Sequence, residues 1–507
     1  MFRDERRCKV REQICQRDLR AFTKVLSPAV FVEAAAQAGV AVGAGPLCWP
    51  NMVWLGVASA LHYTKAFADL LGFTIKLLTV APEFSSSWVG RQQQAAKRKK
   101  LQGEGRSKHD PYGGDPTVVS DAAFSKARQA MPLEYWMAVL LVLGRQFQAQ
   151  HDNRIRYKGF RLLAIDGSCF SLPSHHALIT HYGTAQNGSK KRKKKVNAKQ
   201  LAKGNETVQA RMVMLQFPLV RLPYRYEIAP LAVGEKELAG RLLNDLQTED
   251  LVLMDRGFWS FELFWAVQNQ GAFFGTRMVK GPRWKTRQKL GPGDRIARWT
   301  PSDTSRAKWK NRDLPKSIDL RIIRYQIPGF RASAIVTNVN DPQRLSREDW
   351  VRLAADCESG RGLQPGLYHR RWEIETTFRE LKVTQKIKGG IRGRTPKAIE
   401  YEIAGHVLLY LLVRWLIVEA GVEYGLDPLR ISFKHALEEL RDLHHELVKA
   451  NRQRIARFLL PLLLARIAEH LVEARPGRHF PRPNDTKTKN KGYGLRQRPA
   501  KLRVIQG

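Results

Sequence analysis

The chain has 507 residues, enough for roughly two to four structural units, and its hydrophobic share of 43% suits a buried core and excludes a wholly disordered polymer. Lys and Arg number 86 against 47 Asp and Glu, a formal net charge of +39; nucleic acid, bound through its phosphates, is the simplest counterpart, with an anionic membrane surface as the rival. Five scattered cysteines (Cys8, Cys15, Cys48, Cys169, Cys357) include no C-x-x-C pair, which argues against a disulfide framework or a zinc cluster and suits a reducing cytoplasm.

In chain order, residues 1–90 carry helical patterns, clearest over Asn51–Leu71, and predict a helical N-terminal region. The first twenty residues are charged throughout and lack the apolar centre of a secretory signal. Residues 91–130 are assigned to a basic linker, on the strength of the polar run RQQQAAKRKKLQGEGRSKHDPYGGDP. From 131 to 280 the text predicts a helix (Met131–Gln148), then strands at Phe160–Ile165, Val208–Phe217 and Tyr224–Leu231. A helix (Glu235–Leu246), a strand (Leu251–Met254), a helix (Phe261–Gln268) and a strand (Ala272–Arg277) follow. That order implies an α/β sandwich on a mixed sheet. A lysine-rich loop, Ser189–Gly204, interrupts the first two strands and reads as a nonspecific phosphate contact. Residues 281–345 look like an inserted β subdomain, with strands at Leu320–Ile327 and Ala332–Val339. Helix returns over 346–400 and 401–475, and 476–507 form a basic tail. The longest apolar run, Val407–Val418, is broken by Arg414 and is shorter than the ~20 residues a bilayer requires; it reads as a buried helix, and no membrane partner is expected.

The chemistry concentrates in three places. Asp166 and Asp255 each follow an apolar strand and precede a turn-forming pair, so each is expected at a strand end, and neighbouring strands would bring the two acids to one edge. The third place is Tyr368–Lys382. As an α-helix at about 100° per residue, it projects Tyr368, Arg371, Glu375 and Lys382 from one stripe about 60° wide, with Trp372, Ile374, Phe378 and Leu381 left to pack. Two or three carboxylates suffice to hold Mg²⁺, which prefers oxygen ligands, beside a phosphate; cations and a phenol can orient the neighbouring phosphates. An exposed amphipathic helix with incidental ion pairs is the bland alternative. Ser168 reads as a turn cap rather than a nucleophile, because no histidine stands at a spacing that would activate it. The near-miss P-loop at Gly183–Lys190 has Lys and Ser transposed, and the pairs His175–His176 and His444–His445 fit no zinc motif.

The spacing Tyr368, Arg371, Glu375, Lys382 resembles, without a gap, the Y-R-E-K signature of DDE transposases of the insertion-sequence-four family. AIDGS around Asp166, LMDRGF around Asp255, VTNVNDP and YHRRWEIETTFRELK resemble its other blocks, over about Leu162 to Lys397. The resemblance implies a ribonuclease-H-like catalytic core with a β-rich insertion, flanked by helical N- and C-terminal regions. It implies metal ligation by Asp166, Asp255 and Glu375, with Mg²⁺ as cofactor and Mn²⁺ as a substitute. It also implies DNA or transition-state contacts from Tyr368, Arg371 and Lys382. An insertion aromatic can stabilise a flipped base in such enzymes; Trp284, Trp299 and Trp309 are candidates, and ordinary packing is the simpler role for each. The expected activity is cut-and-paste transposition: binding terminal inverted repeats of double-stranded DNA, cleaving them and joining them to a target. A homodimer at work and a cytoplasmic, nucleoid-associated location are also expected. A structure-specific nuclease and a catalytically inactive DNA-binding relative are the alternatives.

Overall fold

The computed structural model describes residues 25–43, 47–62, 121–184, 207–307, 313–326, 332–351, 366–443 and 455–472. Its centre is a mixed sheet of ten strands: β1 (Arg156–Tyr157), β2 (Phe160–Leu172), β3 (Val208–Phe217), β4 (Leu222–Pro230), β5 (Asp250–Met254), β6 (Phe273–Arg277), β7 (Trp284–Gly291), β8 (Asp294–Trp299), β9 (Ile318–Tyr325) and β10 (Ser333–Thr337). The spatial order is β4-β3-β2-β5-β6-β10-β9-β8-β7, with β1 hairpinned onto β2. β2, β3 and β4 run antiparallel, while β2, β5 and β6 run parallel. The sequence explains the split. FRLLAI and LVLM are continuous apolar runs, as strands covered on both faces require, and every residue of both is buried.

At the opening of the parallel pair, Arg161 and Asp250 lie opposite one another in register and form a two-pronged ion pair, Nε to Oδ1 and Nη2 to Oδ2 both 2.6 Å, shut off from solvent. The backbone N–H of Gln247 adds a bond of 2.7 Å to Asp250 Oδ2. The pair stands in the register in which β2 and β5 run toward Asp166, within β2, and Asp255, just past the end of β5.

Three features differ from the sequence reading. β2 does not stop before Asp166 but continues to Leu172, because β3 still pairs with it after β5 has ended. The strands of the insertion do not fold apart: β10 pairs with β6, so β7–β10 lengthen the same sheet. Part of the span assigned to the linker, Asp121–Ala130, is helix. Its Arg128 pairs with the buried Glu402 at 3.1 Å.

The flanking helices share one core with the sheet, and the described residues through Val472 form a single compact unit. The centre of that core is the helix Pro396–Glu423, capped by Thr395 Oγ1, which accepts from the Ala398 N–H, and started by a proline at its first position. It is longer than the apolar run suggested, and by length and hydropathy it could cross a membrane, but 94% of that stretch is buried in the protein. The N-terminal helix Trp49–Leu61 crosses it so closely that a Cβ on Gly405 would stand 2.5 Å from the Gly56 carbonyl oxygen. The Tyr401 hydroxyl donates to the Met52 carbonyl at 2.6 Å across the same contact. Gly405→Ala is therefore expected to force backbone apart from backbone and destabilise the protein by about 1–3 kcal/mol, read as a lowered melting temperature.

His406, one residue on, is fully enclosed. Burial pushes its imidazole down to about 3, and its Nδ1 faces the Gln385 amide at 3.3 Å. A folded-state pKa below the unfolded value means that stability is fully present above about pH 6.5 and drains away as pH falls toward the folded pKa. His406→Leu should flatten the loss of stability between pH 6.5 and 4, compared with wild type, in urea titrations at each pH. An unchanged slope would remove His406 as its source.

Candidate active site

Beyond Ile165 and Met254, the last pair of the β2–β5 ladder, come Asp166 and Asp255, side by side. Open α/β sheets bind ligands outside the carboxyl ends of parallel strands, where neighbouring connections diverge, and this is such a place. β6 ends alongside: Met254 faces Thr276, so Arg277 comes abreast of Asp255. Only Asp255 sits at a strand end. Asp166 is held mid-strand by β3, with its Oδ1 accepting from the Gly167 N–H at 2.8 Å. Burial raises the Asp166 carboxyl to about 6, the nearby Glu375 and Asp255 charges push the same way, and the Gly167 N–H and Arg371 pull against them.

The signature segment approaches from the other side, but not as one α-helix. Leu367–Trp372 is a 3₁₀ turn, Glu373–Arg379 is α-helix and Glu380–Thr384 is a π turn, so the 100° spacing does not hold along it. Arg371 is buried and spans two acids, with Nη1 3.3 Å from Asp166 Oδ2 and Nη2 3.0 Å from Glu375 Oε1. Glu375 keeps 44% of its side chain exposed. Lys382 Nζ donates to Ser168 Oγ at 2.6 Å and stands over the Phe170 ring. Tyr368 departs from expectation: it is buried, and its hydroxyl donates to the Met254 carbonyl at 3.0 Å, so it braces the end of β5 from inside rather than presenting a phenol to a ligand. Burial accordingly raises its pKa.

One neighbour was read differently from the sequence, and another was not singled out. Ser168 is no turn cap but a strand residue that receives Lys382. Arg277 stands abreast of Asp255 in backbone register, with its Nε donating to Ser333 Oγ on β10 at 3.4 Å; an arginine closing a short apolar strand was the signal available. Of the insertion tryptophans, Trp299 is buried against Trp259, Phe261 and Phe264, and Trp284 stacks edge-on to Trp259. Packing accounts for both. Trp309 and the loop Ser189–Gly204 lie outside the described residues.

The site thus gathers three carboxylates, Arg371, Lys382 and Arg277 at one sheet edge. Carboxylate oxygens are the donors a hard divalent cation takes. Their mutual repulsion, one cause of the raised Asp166 pKa, is what such a cation would relieve. No ready-made group of three ligands exists among the described residues, since Arg371 stands between Asp166 and Glu375.

The chain belongs to the DDE transposases: residues 157–412, about half of it, match the family of the transposase DDE domain. Over 331 residues it is 26% identical to Transposase InsG for insertion sequence element IS4 of Escherichia coli (strain K12), an alignment covering 64% of this chain and 67% of that protein. Within that class it is similar to a transposase of insertion sequence element IS4. DDE transposases use divalent metal ions and bind DNA. A solved structure, the piggyBac transposase synaptic complex with hairpin DNA, aligns over 92% of this chain and 87% of that one, at 10% identity and a TM-score of 0.35; at that score the likeness carries no argument.

Proposed function

We propose that this transposase acts by cut-and-paste: it binds the terminal inverted repeats of its element, hydrolyses a phosphodiester at each end and joins the freed 3′ hydroxyl to target DNA. The observation that carries the reading is the convergence of Asp166, Asp255 and Glu375, from two adjacent parallel strands and the signature segment, around Arg371. A ribonuclease-H-like core is the corresponding fold reading. Three antiparallel strands followed by two parallel ones, with an acid at the tip of β5 and another beside it in β2, support it.

In this reading Asp166, Asp255 and Glu375 hold Mg²⁺, or Mn²⁺ in its place, which supplies activation of the attacking oxygen and neutralises charge at the scissile phosphate. The residues of the chain do the rest. Arg371 holds Asp166 and Glu375 while the site is empty of substrate, then turns its two-pronged guanidinium to a phosphate. Lys382, kept near by Ser168, gives a second cation, and Arg277 a third at the Asp255 side. Tyr368 keeps the end of β5 in place; it would reach DNA only through that strand. The N-terminal helices and the basic loops contact the element ends. Pairing of two ends calls for a dimer, with the helical C-terminal region as contact surface, and the protein works in the cytoplasm on the nucleoid.

Cleavage of a supercoiled plasmid carrying the element's own ends, with Mg²⁺ or with EDTA, tests the proposal. Excised and joined products that appear only with the metal support it. Nicks without joining would make the chain a hydrolytic nuclease, and tight binding with no strand cut would leave a DNA-binding relative.

A further inference from the structure

Behind the signature segment, on the side away from the acids, lies a cluster of charged groups with no part in the chemistry above. Glu380, nearly enclosed, opens the π turn, whose wide hydrogen bond runs from the Gln385 N–H to the Glu380 carbonyl at 2.9 Å. Its carboxylate is gripped from two directions. From the central helix, the Tyr410 hydroxyl donates to Oε2 at 2.6 Å and the Arg414 guanidinium pairs with the same oxygen, while Arg414 Nε donates to the Tyr410 hydroxyl at 3.0 Å. From the turn between β3 and β4 comes Arg221, which holds its side chain out at a left-handed backbone position, φ 54°. Its Nε donates to Glu373 Oε2 at 2.7 Å, and its Nη1 stands 3.6 Å from Glu380 Oε1.

Such a cluster is a poor source of stability. Desolvating ions costs about as much as their attraction returns, and apolar groups of the same volume often do as well. Arg414 Nη1 has no hydrogen-bond partner, an added cost. What buried ion clusters supply in some proteins is a unique register. Here register matters, because Glu373 and Glu380 flank Glu375 and precede Lys382. A turn widened by one residue swings the following side chains around the helix axis, and Lys382 is the residue so placed, 2.6 Å from Ser168.

We propose that Glu380, with Tyr410, Arg414 and Arg221, is a positioning device: it tethers the signature segment at once to the central helix and to the β3–β4 turn, and so sets the rotation at which Glu375 and Lys382 meet Asp166 and Ser168. The proposal rests on the transposition reading of the site. It makes Glu380 a positioning residue, not a catalytic one, since its carboxylate faces the protein interior.

Two variants of the full chain test it. Tyr410→Phe removes one hydroxyl from the cluster and no volume. The double change Glu380→Met with Arg414→Met removes both charges together and leaves no lone ion buried. The measurements are single-turnover plasmid cleavage, the Mg²⁺ concentration at half-maximal rate, affinity for element-end DNA and thermal unfolding. The double variant should cleave about 10²-fold more slowly, as a misplacement of about 1 Å can cause, and Tyr410→Phe several-fold more slowly. Both should need several-fold more Mg²⁺, with DNA affinity and melting temperature close to wild type. Wild-type rates and Mg²⁺ requirement in a folded variant overturn the proposal, as does a fall in melting temperature with no change in Mg²⁺ requirement. If the double variant does not fold, Tyr410→Phe decides. Wild type that excises and joins with Mg²⁺ while Glu375→Gln does not keeps the transposition reading intact whatever these variants do; wild type that never cuts, or cuts without joining, removes that reading instead.

Discussion

Glu375→Gln should abolish Mg²⁺-dependent cleavage, by at least about 10³-fold, the scale on which removal of a charge-stabilising group from a polar active site is felt. It should leave the melting temperature and the affinity for DNA near wild type. The expectation of intact folding comes from exposure: 44% of the Glu375 side chain is in solvent, and Arg371, its partner among the described residues, keeps Asp166. A glutamine still accepts from Arg371 but supplies no charge, so hydrogen bonding survives where metal binding fails. Plasmid cleavage over a range of Mg²⁺ reads the result. Full activity at any attainable Mg²⁺ would remove Glu375 from the site and, with it, the main reason for calling the sheet edge catalytic.

The largest effect on stability is expected from the opposite end of the same two strands. Asp250→Ala leaves the buried Arg161 guanidinium without its carboxylate, with only the neutral Gln148 Oε1 still accepting from Nη1 at 2.8 Å, and breaking a buried pair by removing one partner costs about 3–5 kcal/mol. The pair is enclosed on both sides, and the Arg161 guanidinium also lies over the Tyr224 ring at 5.2 Å. Urea unfolding of Asp250→Ala against wild type measures the loss. Because the pair sets the β2–β5 register, the aspartates beyond Ile165 and Met254 should also lose their alignment, so cleavage falls even where the variant remains folded. A cost under about 1 kcal/mol would show that the strands hold register through their apolar side chains alone.

Periodicity and composition carried most of the elements. The apolar runs before Asp166 and Asp255, the strands Val208–Phe217 and Tyr224–Leu231, and the helices after Glu235 and Phe261 are legible because each is long or strongly patterned and punctuated by Gly, Pro or charge. Family membership was legible for a similar reason: it is written in short contiguous blocks, and the most informative lies within fifteen residues of one segment. What stayed out of reach were boundaries and joins. Whether a strand ends at Asp166 depends on whether β3 still pairs beyond it, and whether the insertion folds apart depends on β10 finding β6; both are decided by partners distant in sequence.

By itself, then, the sequence determined the charge surplus, the three acids and the order of helix and strand, since each is a property of local residue type and spacing. Only the tertiary structure decided how those acids are held. Tyr368 turns inward because a buried phenol needs an acceptor and the Met254 carbonyl is within reach. Arg371 spans Asp166 and Glu375 because two carboxylates converge on one buried cation. The signature segment passes from 3₁₀ to α to π, and the π turn opens at Glu380, which pairs with Arg414 on the central helix and Arg221 on the β3–β4 turn. Apart from the one-turn Arg371–Glu375 pair, which helical spacing does announce, those partners lie far apart in sequence, so no periodicity could have announced them.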